Sequence, residues 1–406
     1  MPEALRIPTI KKGLITYCNP PISKGKSQLG AKRLLLSLFS LLHLVFVQGQ
    51  QSQVLFASGD LGYSCYRIPA LISWSNTQIL AFAEGRKDNC SDFGNVDILM
   101  RKSEDGGKSW SPIQVVVDFG ELQAGNPTPI FDQLDPDYPK GRLFLFYNTG
   151  TASEQETREG LGRRRAHFIT TIDGGLTWSA PQEFTEQAHF DRFSTKPTTD
   201  ARSLAFAPGH GMQLKSGRAA GRLVIPANHS LGPPLEEFAE YRSYAIYSDD
   251  HGKSWNTTPD VNVPASNEAM ATQLNGDTLL MVIRMQDRKY QNKLIARSTN
   301  SGSTWESTWL AQDLTTPMCQ SSIISVSDSA YNGIYHLGPA ATDSRKQLTL
   351  WHSDNGGINW EILHEIWPGS AAYSDLAYLN TGKIALLYER NNYTEITFQL
   401  LDLSKL

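Results

Sequence analysis

Five charged side chains sit inside runs of apolar, strand-forming residues: Arg67 in YRIPALI, Arg284 in LLMVIRMQ, Glu389 in IALLYER, and the pair Glu84 and Arg86 in ILAFAEGR. Arginine in such a setting suits the capture of a carboxylate or phosphate, because its planar fork makes paired, charge-assisted bonds and keeps its proton. A carboxylate beside it can offset the burial of its charge or move a proton. Each of the five, taken alone, is better read as a strand-end charge reaching solvent. They are scattered from position 67 to position 389, so joint action requires a fold that gathers distant segments at one spot.

The elements able to do this announce themselves as a repeat. SEDGGKSW (103–110), TIDGGLTW (171–178), SDDHGKSW (248–255), STNSGSTW (298–305) and SDNGGINW (353–360) share the pattern [ST]-x-[DN]-x-G-x-[STN]-W. Their tryptophans are 68, 77, 50 and 55 residues apart, which is the period of stacked supersecondary units. Each copy follows a strand-like run: NVDILMRK, RAHFITT, YRSYAIY, KLIARS or QLTLWH. The octet is a turn with a mechanical purpose. Its Asp or Asn accepts backbone N–H groups, its Gly allows positive φ, and its Trp anchors the hairpin on a neighbour. Asp105, Asp173 and Asp250 are accordingly read as turn formers, since Asn300 and Asn355 take the same place in two copies. A calcium loop is excluded, because no bidentate Glu follows the Gly at the required distance.

Each interval holds about four short strands with their turns, which is one propeller blade. The 354 residues from 53 to 406 therefore predict an all-β, six-bladed β-propeller. The sixth blade falls on AYSDLAYLNTGKIALLYERNNYTEITFQLL and lacks an octet; a strand near SQVLFAS is expected to close it, removing the free edges. Catalysis in such a ring belongs at one end of its central channel, on residues from several blades.

The first 50 residues read differently. Positions 1–33 carry seven of the 37 basic residues and one of the 41 acids, and LLLSLFSLLHLVFV (34–47) is apolar at eleven of fourteen positions. This is a positive n-region and an h-region of secretory length, so 1–50 is expected to be a signal peptide, with an uncleaved signal anchor as the alternative; the propeller is expected over 51–406. Without the leader the chain keeps 30 basic and 40 acidic residues, a balance that argues against nucleic acid or anionic membrane as partner and leaves the N-terminal apolar segment as the one route to a membrane. An anionic ligand must then meet a local basic cluster. Sequons at Asn89, Asn228, Asn256 and Asn392 suit the secretory pathway, lysosomal or secreted. The terminal Ser404-Lys405-Leu406 spells a peroxisomal address that is incompatible with a working signal peptide. Cys65, Cys90 and Cys319 allow one bridge and one free thiol, with the pairing open, and match no metal motif. No cofactor loop is present.

YRIPAL (66–71), LAFAEGR (80–86), the five octets, AAYSDLAYL and LLYERNNY together resemble the exo-sialidases of glycoside hydrolase family 33, over essentially the whole chain beyond the leader. The octets look like that family's Asp boxes. The resemblance implies a six-bladed propeller that removes terminal α-linked sialic acid from glycoproteins, gangliosides and oligosaccharides without a cofactor. It implies that Arg67, Arg284 and Arg345 clamp the substrate carboxylate, that Tyr373 is the nucleophile with Glu268 as its partner, and that Asp92 is the general acid. Sialidases are exceptional among retaining glycosidases in using Tyr: a neutral phenol deprotonated as it attacks avoids the repulsion between an anionic nucleophile and the carboxylate on the anomeric carbon. Asp92 is expected to have a raised pKa, and Asp88 and Asp97 are its rivals, Asp97 reading as structural. Glu389 is expected to buttress Arg67, Arg86 to reach ring substituents, and Asn126 to line a substituent pocket. A glycan on Asn89 would crowd Asp92, so that sequon is expected to be empty if Asp92 is the acid. A sialic-acid-binding propeller or a trans-sialidase is the alternative, and a plain scaffold the third reading.

Overall fold

The computed structural model describes residues 52–189, 200–328, 330–379 and 382–406. The expected leader, 1–50, lies outside the described residues. The described strands fall into six antiparallel units in sequence order, each of four strands apart from the short Met212–Gln213 added to the third; units one and two are joined by one bridge, Val96↔Gln123, and units five and six by a shared long strand. Blade one is Cys65–Ser73, Ile79–Arg86, Val96–Ser103 and Gln114–Val117. Blade two is Gln123–Asp132, Arg142–Gly150, Arg164–Thr171 and Gln182–Glu183. Blade three is Ala201–Phe206, Leu223–Leu231, Tyr241–Ser248 and Asn256–Thr257. Blade four is Ser266–Asn275, Thr278–Met285, Asn292–Ser298 and Ser307–Thr315. Blade five begins with Ser322–Val326, Gly333–Pro339 and Lys346–Ser353, and its outer strand is the first half of the long strand Glu361–Tyr378. The second half of that strand opens blade six, followed by Lys383–Arg390 and Glu395–Asp402. Ser52–Ala57 completes blade six, pairing antiparallel with Glu395–Asp402 from Ser52↔Gln399 to Ala57↔Glu395. The strand near SQVLFAS therefore closes the ring as expected.

Closure is visible in the core. Six apolar clusters each span two neighbouring blades, including the pair six and one, where Phe398 and Leu387 pack with Leu71 and Leu99. The octets pin these interfaces. In the first, Asp105 Oδ1 accepts the N–H groups of Lys108 and Ser109, both at 2.9 Å, and Ser103 Oγ accepts that of Gly107 at 2.8 Å. Gly107 has φ +87°, and a Cβ there would meet the Phe398 ring at 2.5 Å, so no other residue fits. Asn300 and Asn355 accept backbone N–H groups in the same way. Each octet tryptophan leans on the preceding blade: Trp110 on Phe398 at 4.9 Å, Trp178 on Phe82 at 6.3 Å, Trp255 on Phe146 at 5.1 Å. The turn reading of the five octets holds.

Candidate active site

One backbone device recurs at one end of the ring. In five blades the innermost strand carries one extra residue against its partner: between Arg67 and Ala70, Gly125 and Thr128, Ala201 and Leu204, Ser266 and Ala269, and Ala371 and Ser374. A bulge of this kind re-aims the side chains around it. Four of the five hold or begin at Arg67, Asn126, Glu268 and Tyr373. Two of them use left-handed backbone at non-glycine positions, Ile68 at φ +57° and Asn126 at φ +54°, and Ile68 is β-branched, where that conformation is costly and marks a functional constraint.

The bulges bring blades four and six together across the channel. Tyr373 Oη donates to Glu268 Oε1 at 2.6 Å, and Arg284 Nη1 donates to the same hydroxyl at 2.8 Å and to Glu268 Oε2 at 2.5 Å. Burial, and then the Glu268 carboxylate, push the Tyr373 phenol well above its ordinary value, against the opposing pull of Arg284 and Arg345. The resting phenol is therefore neutral, with its proton aimed at a carboxylate.

The other two arginines lie close to the same ring. The guanidinium of Arg67 lies 5.1 Å from the Tyr373 centroid and that of Arg345 lies 5.5 Å from it. Glu389, fully buried, accepts Arg67 Nε at 2.7 Å, Ile68 N–H at 2.8 Å and Tyr373 N–H at 3.1 Å, so one carboxylate braces both an arginine and the phenol strand. Arg345, in the turn ahead of Lys346–Ser353, donates to Met318 C=O at 3.0 Å and Tyr393 Oη at 3.1 Å.

Arg86 and Asp92 form the rim. Glu84 receives Arg86 Nε and Nη2 at 3.0 and 2.6 Å and also Asn126 N–H at 2.8 Å; a Cβ on Gly125 would meet Glu84 Oε1 at 2.5 Å, which requires glycine there. Arg86 Nη1 donates to Asp92 Oδ1 and to Cys90 C=O, each at 2.7 Å, and Arg67 Nη1 is 3.8 Å from the same oxygen. A disulfide between Cys65 and Cys90 ties this loop to the strand that carries Arg67, leaving Cys319 free and buried. The Asp92 side chain is 77% exposed. Desolvation in the cleft works to raise its pKa, but Arg86 and Arg67 outweigh it and hold the carboxyl below the usual range. The expected elevation is thus reversed. Of the rivals, Asp97 is buried, accepting Tyr63 Oη at 2.6 Å and pairing with Lys87 at 3.0 Å, as a structural residue should; Asp88 is exposed.

Asp92, Arg86, Asn126, Glu268, Arg284 and Tyr373 line one cavity of about 180 Å³. A larger hollow of about 980 Å³ opens at the opposite ends of the inner strands and contains none of the expected site residues. Asn228 is 2% exposed in mid-strand and lines the smaller cavity, so its sequon has no room for a glycan in the closed ring; Asn89, Asn256 and Asn392 are exposed. Asp132, Asp135 and His251 come near enough to hold a cation, but Arg142 already donates to Asp135 at 2.8 Å and His251 to Asp132 at 2.9 Å. Sequence reasoning missed Tyr393, Lys293 and the Met318–Gln320 segment. Tyr393 lay within a quoted motif, whereas Lys293 carried no signal beyond a lysine heading a short β run.

The matching family model is the BNR repeat-like domain, over residues 77–386. A sialidase of Micromonospora viridifaciens is 30% identical over 83% of this chain and 52% of its own length; Sialidase-2 of Cricetulus griseus is 29% identical over 87% of this chain and 96% of its own. The chain thus spans about half of the first relative and nearly all of the second. Among solved structures, the Hadza microbial sialidase Hz136 superposes with a TM-score of 0.72 at 20% identity, covering 88% of this chain and 69% of that one. An intramolecular trans-sialidase from Ruminococcus gnavus superposes with a TM-score of 0.67 at 18% identity, covering 88% and 98%. The six blades, their octets and these matches agree: the chain belongs to the BNR repeat-like family, within its sialidase group.

Proposed function

We propose that the protein is a retaining exo-α-sialidase acting on terminal α-linked sialic acids of glycoproteins, glycolipids and oligosaccharides. The observation that carries this reading is the Tyr373 hydroxyl, held at 2.6 Å from Glu268 and 2.8 Å from Arg284, with the guanidiniums of Arg67 and Arg345 within 5.1 and 5.5 Å of its ring centroid. The substrate carboxylate binds among Arg67, Arg284 and Arg345. Tyr373 Oη attacks the anomeric carbon while its proton passes to Glu268, so that charge develops on the nucleophile only as the bond forms. Asp92 protonates the departing glycosidic oxygen and then activates the water that cleaves the tyrosyl intermediate. The lowered pKa of Asp92 suits this sequence of events: a carboxylate entering among the arginines offsets the charges that hold the proton off, and Asp92 takes up its proton and becomes the neutral acid as substrate arrives. Arg86 and Asn126 contact ring substituents, and Glu389 fixes Arg67.

Release of fluorophore from a 4-methylumbelliferyl sialoside tests this directly. Wild-type protein is expected to turn over and Tyr373→Phe to lose nearly all activity; a silent wild type, with binding intact, would make the protein a sialic-acid-binding propeller. Transfer is the second reading, favoured by the intramolecular trans-sialidases among the similar structures. Its signature is a sialylated acceptor or an anhydro sugar in place of free sialic acid, read by NMR. The Cys65–Cys90 bridge supports a secretory location, lysosomal or secreted, since disulfides persist in oxidising compartments; a peroxisomal destination through the terminal tripeptide is the lesser alternative.

A further inference from the structure

Five inner strands carry the one-residue bulge, blade three's lying between Ala201 and Leu204. Blade five does not: its inner strand is regular from Ser322, and the Met318–Gln320 segment leads into it. Each residue of that segment holds a different part of the site. Met318 C=O accepts Arg345 Nη2 at 3.0 Å. Cys319 packs in a small cluster with Ile68, Ala372 and Tyr373. Gln320 bonds to Ser374 in both directions, Nε2 to its C=O at 3.0 Å and Oε1 from its N–H at 3.0 Å, so it grips the residue next to Tyr373. The segment is itself tethered by Lys293, 1% exposed on the third strand of blade four, whose ammonium donates to Cys319 C=O at 2.5 Å.

A lysine so deep is expensive to keep charged. Facing it are Arg284 and Glu268 from blade four, and Arg345, the Cys319 thiol and His336 from blade five. Burial holds His336 far below its ordinary value, and therefore neutral. Burial, with Arg284 and Arg345 acting the same way, brings the Lys293 ammonium down to about 8. It is therefore charged through the neutral range and loses that charge as the pH rises through about 8.

We propose that Lys293 is a positioning residue for the active site: it fixes the Met318–Gln320 segment against which Arg345 and Tyr373 are aligned, and it adds a concealed fourth cation to the field that draws in the substrate carboxylate. This rests on the sialidase reading above. The test is the dissociation constant of the 2,3-unsaturated analogue of N-acetylneuraminic acid, measured by calorimetry from about pH 6 to about pH 9.5 at constant ionic strength, for wild type, Lys293→Met and Cys319→Ala. Wild-type affinity is expected to fall at least about threefold with a midpoint near 8. Lys293→Met is expected to bind about tenfold more weakly at neutral pH, without that inflection. Cys319→Ala should keep the inflection, which separates the ammonium from the thiol. A flat wild-type profile, or an inflection that survives in Lys293→Met or vanishes in Cys319→Ala, overturns the proposal. Should Lys293→Met fail to fold, the wild-type and Cys319→Ala profiles decide the matter. Wild type that binds the analogue at no pH would overturn the sialidase reading, and this inference with it.

Discussion

Glu389→Gln is the substitution that most sharply separates a braced site from a coincidental one. The carboxylate is fully buried and serves three donors, Arg67 Nε, Ile68 N–H and Tyr373 N–H. Glutamine keeps the volume but replaces one acceptor oxygen with an NH₂ that points at a donor, and it leaves Arg67, 7% exposed, without its countercharge. Breaking a buried pair in this way costs about 3–5 kcal/mol, which for a ring of about 350 residues lowers Tm by roughly 4–7 °C. Arg67 and the Tyr373 strand would shift together, so kcat/KM should drop about a hundredfold even though Glu389 makes no contact with the reacting atoms. Glu395→Gln is the control: its pair with Arg390 is partly exposed, and its loss should move Tm by no more than about 1 °C. Scanning calorimetry and the sialoside assay read both quantities. A Glu389→Gln protein with wild-type Tm and wild-type kcat/KM would refute the bracing argument.

Asp92→Ala should slow hydrolysis of sialyllactose at least about tenfold more than that of the 4-methylumbelliferyl sialoside, whose leaving group needs little protonation; equal slowing, or an active protein glycosylated at Asn89, would remove Asp92 as the acid. Replacing Cys65 and Cys90 by serine opens a loop closed over 25 residues and should cost about 3 kcal/mol in urea titration, with kcat/KM falling as the Asp92 loop loosens. His210 Nδ1 lies 2.8 Å from buried Asp375; burial opposes its charge, but Asp375 prevails and raises the imidazole above 6.5. That pair's stability is full below about pH 6.5 and is lost as pH rises through the higher folded value, so the Tm difference between wild type and His210→Gln should shrink over that rise, and a constant difference would contradict it.

Why some of this could be read from the chain and some could not has a physical answer. The octets are local devices: a short acceptor, a glycine with positive φ and a tryptophan act within eight residues, so the repeat gave away the blades, and the closing strand followed from the need to remove an edge. Arg67, Arg86, Arg284, Glu84 and Glu389 stood out because charge inside a β run demands a partner, whereas Arg345, Glu268, Tyr373 and Asp92 were reached only through the family resemblance. The bulges at Arg67, Asn126, Glu268 and Tyr373 left no trace, because one extra residue in a strand is a matter of register and not of composition. Lys293 was invisible for a related reason: KLIARS reads as a strand with a charged start, and only the neighbouring blade turns that start into a buried tether. The pKa of Asp92 went the other way because Arg86, six residues before it, and Arg67, on the strand tied to its loop by the disulfide, both reach its carboxylate.

The central claim is that Tyr373, with its proton passed to Glu268, forms the bond to the anomeric carbon. A 3-fluoro sialosyl fluoride, which slows both steps but forms the intermediate readily, traps that bond for peptide mass spectrometry. The account predicts a glycosyl adduct on the peptide carrying Tyr373, absent in Tyr373→Phe and strongly slowed in Glu268→Gln. An adduct on any carboxylate, or an active Tyr373→Phe protein that labels as fast as wild type, would contradict it.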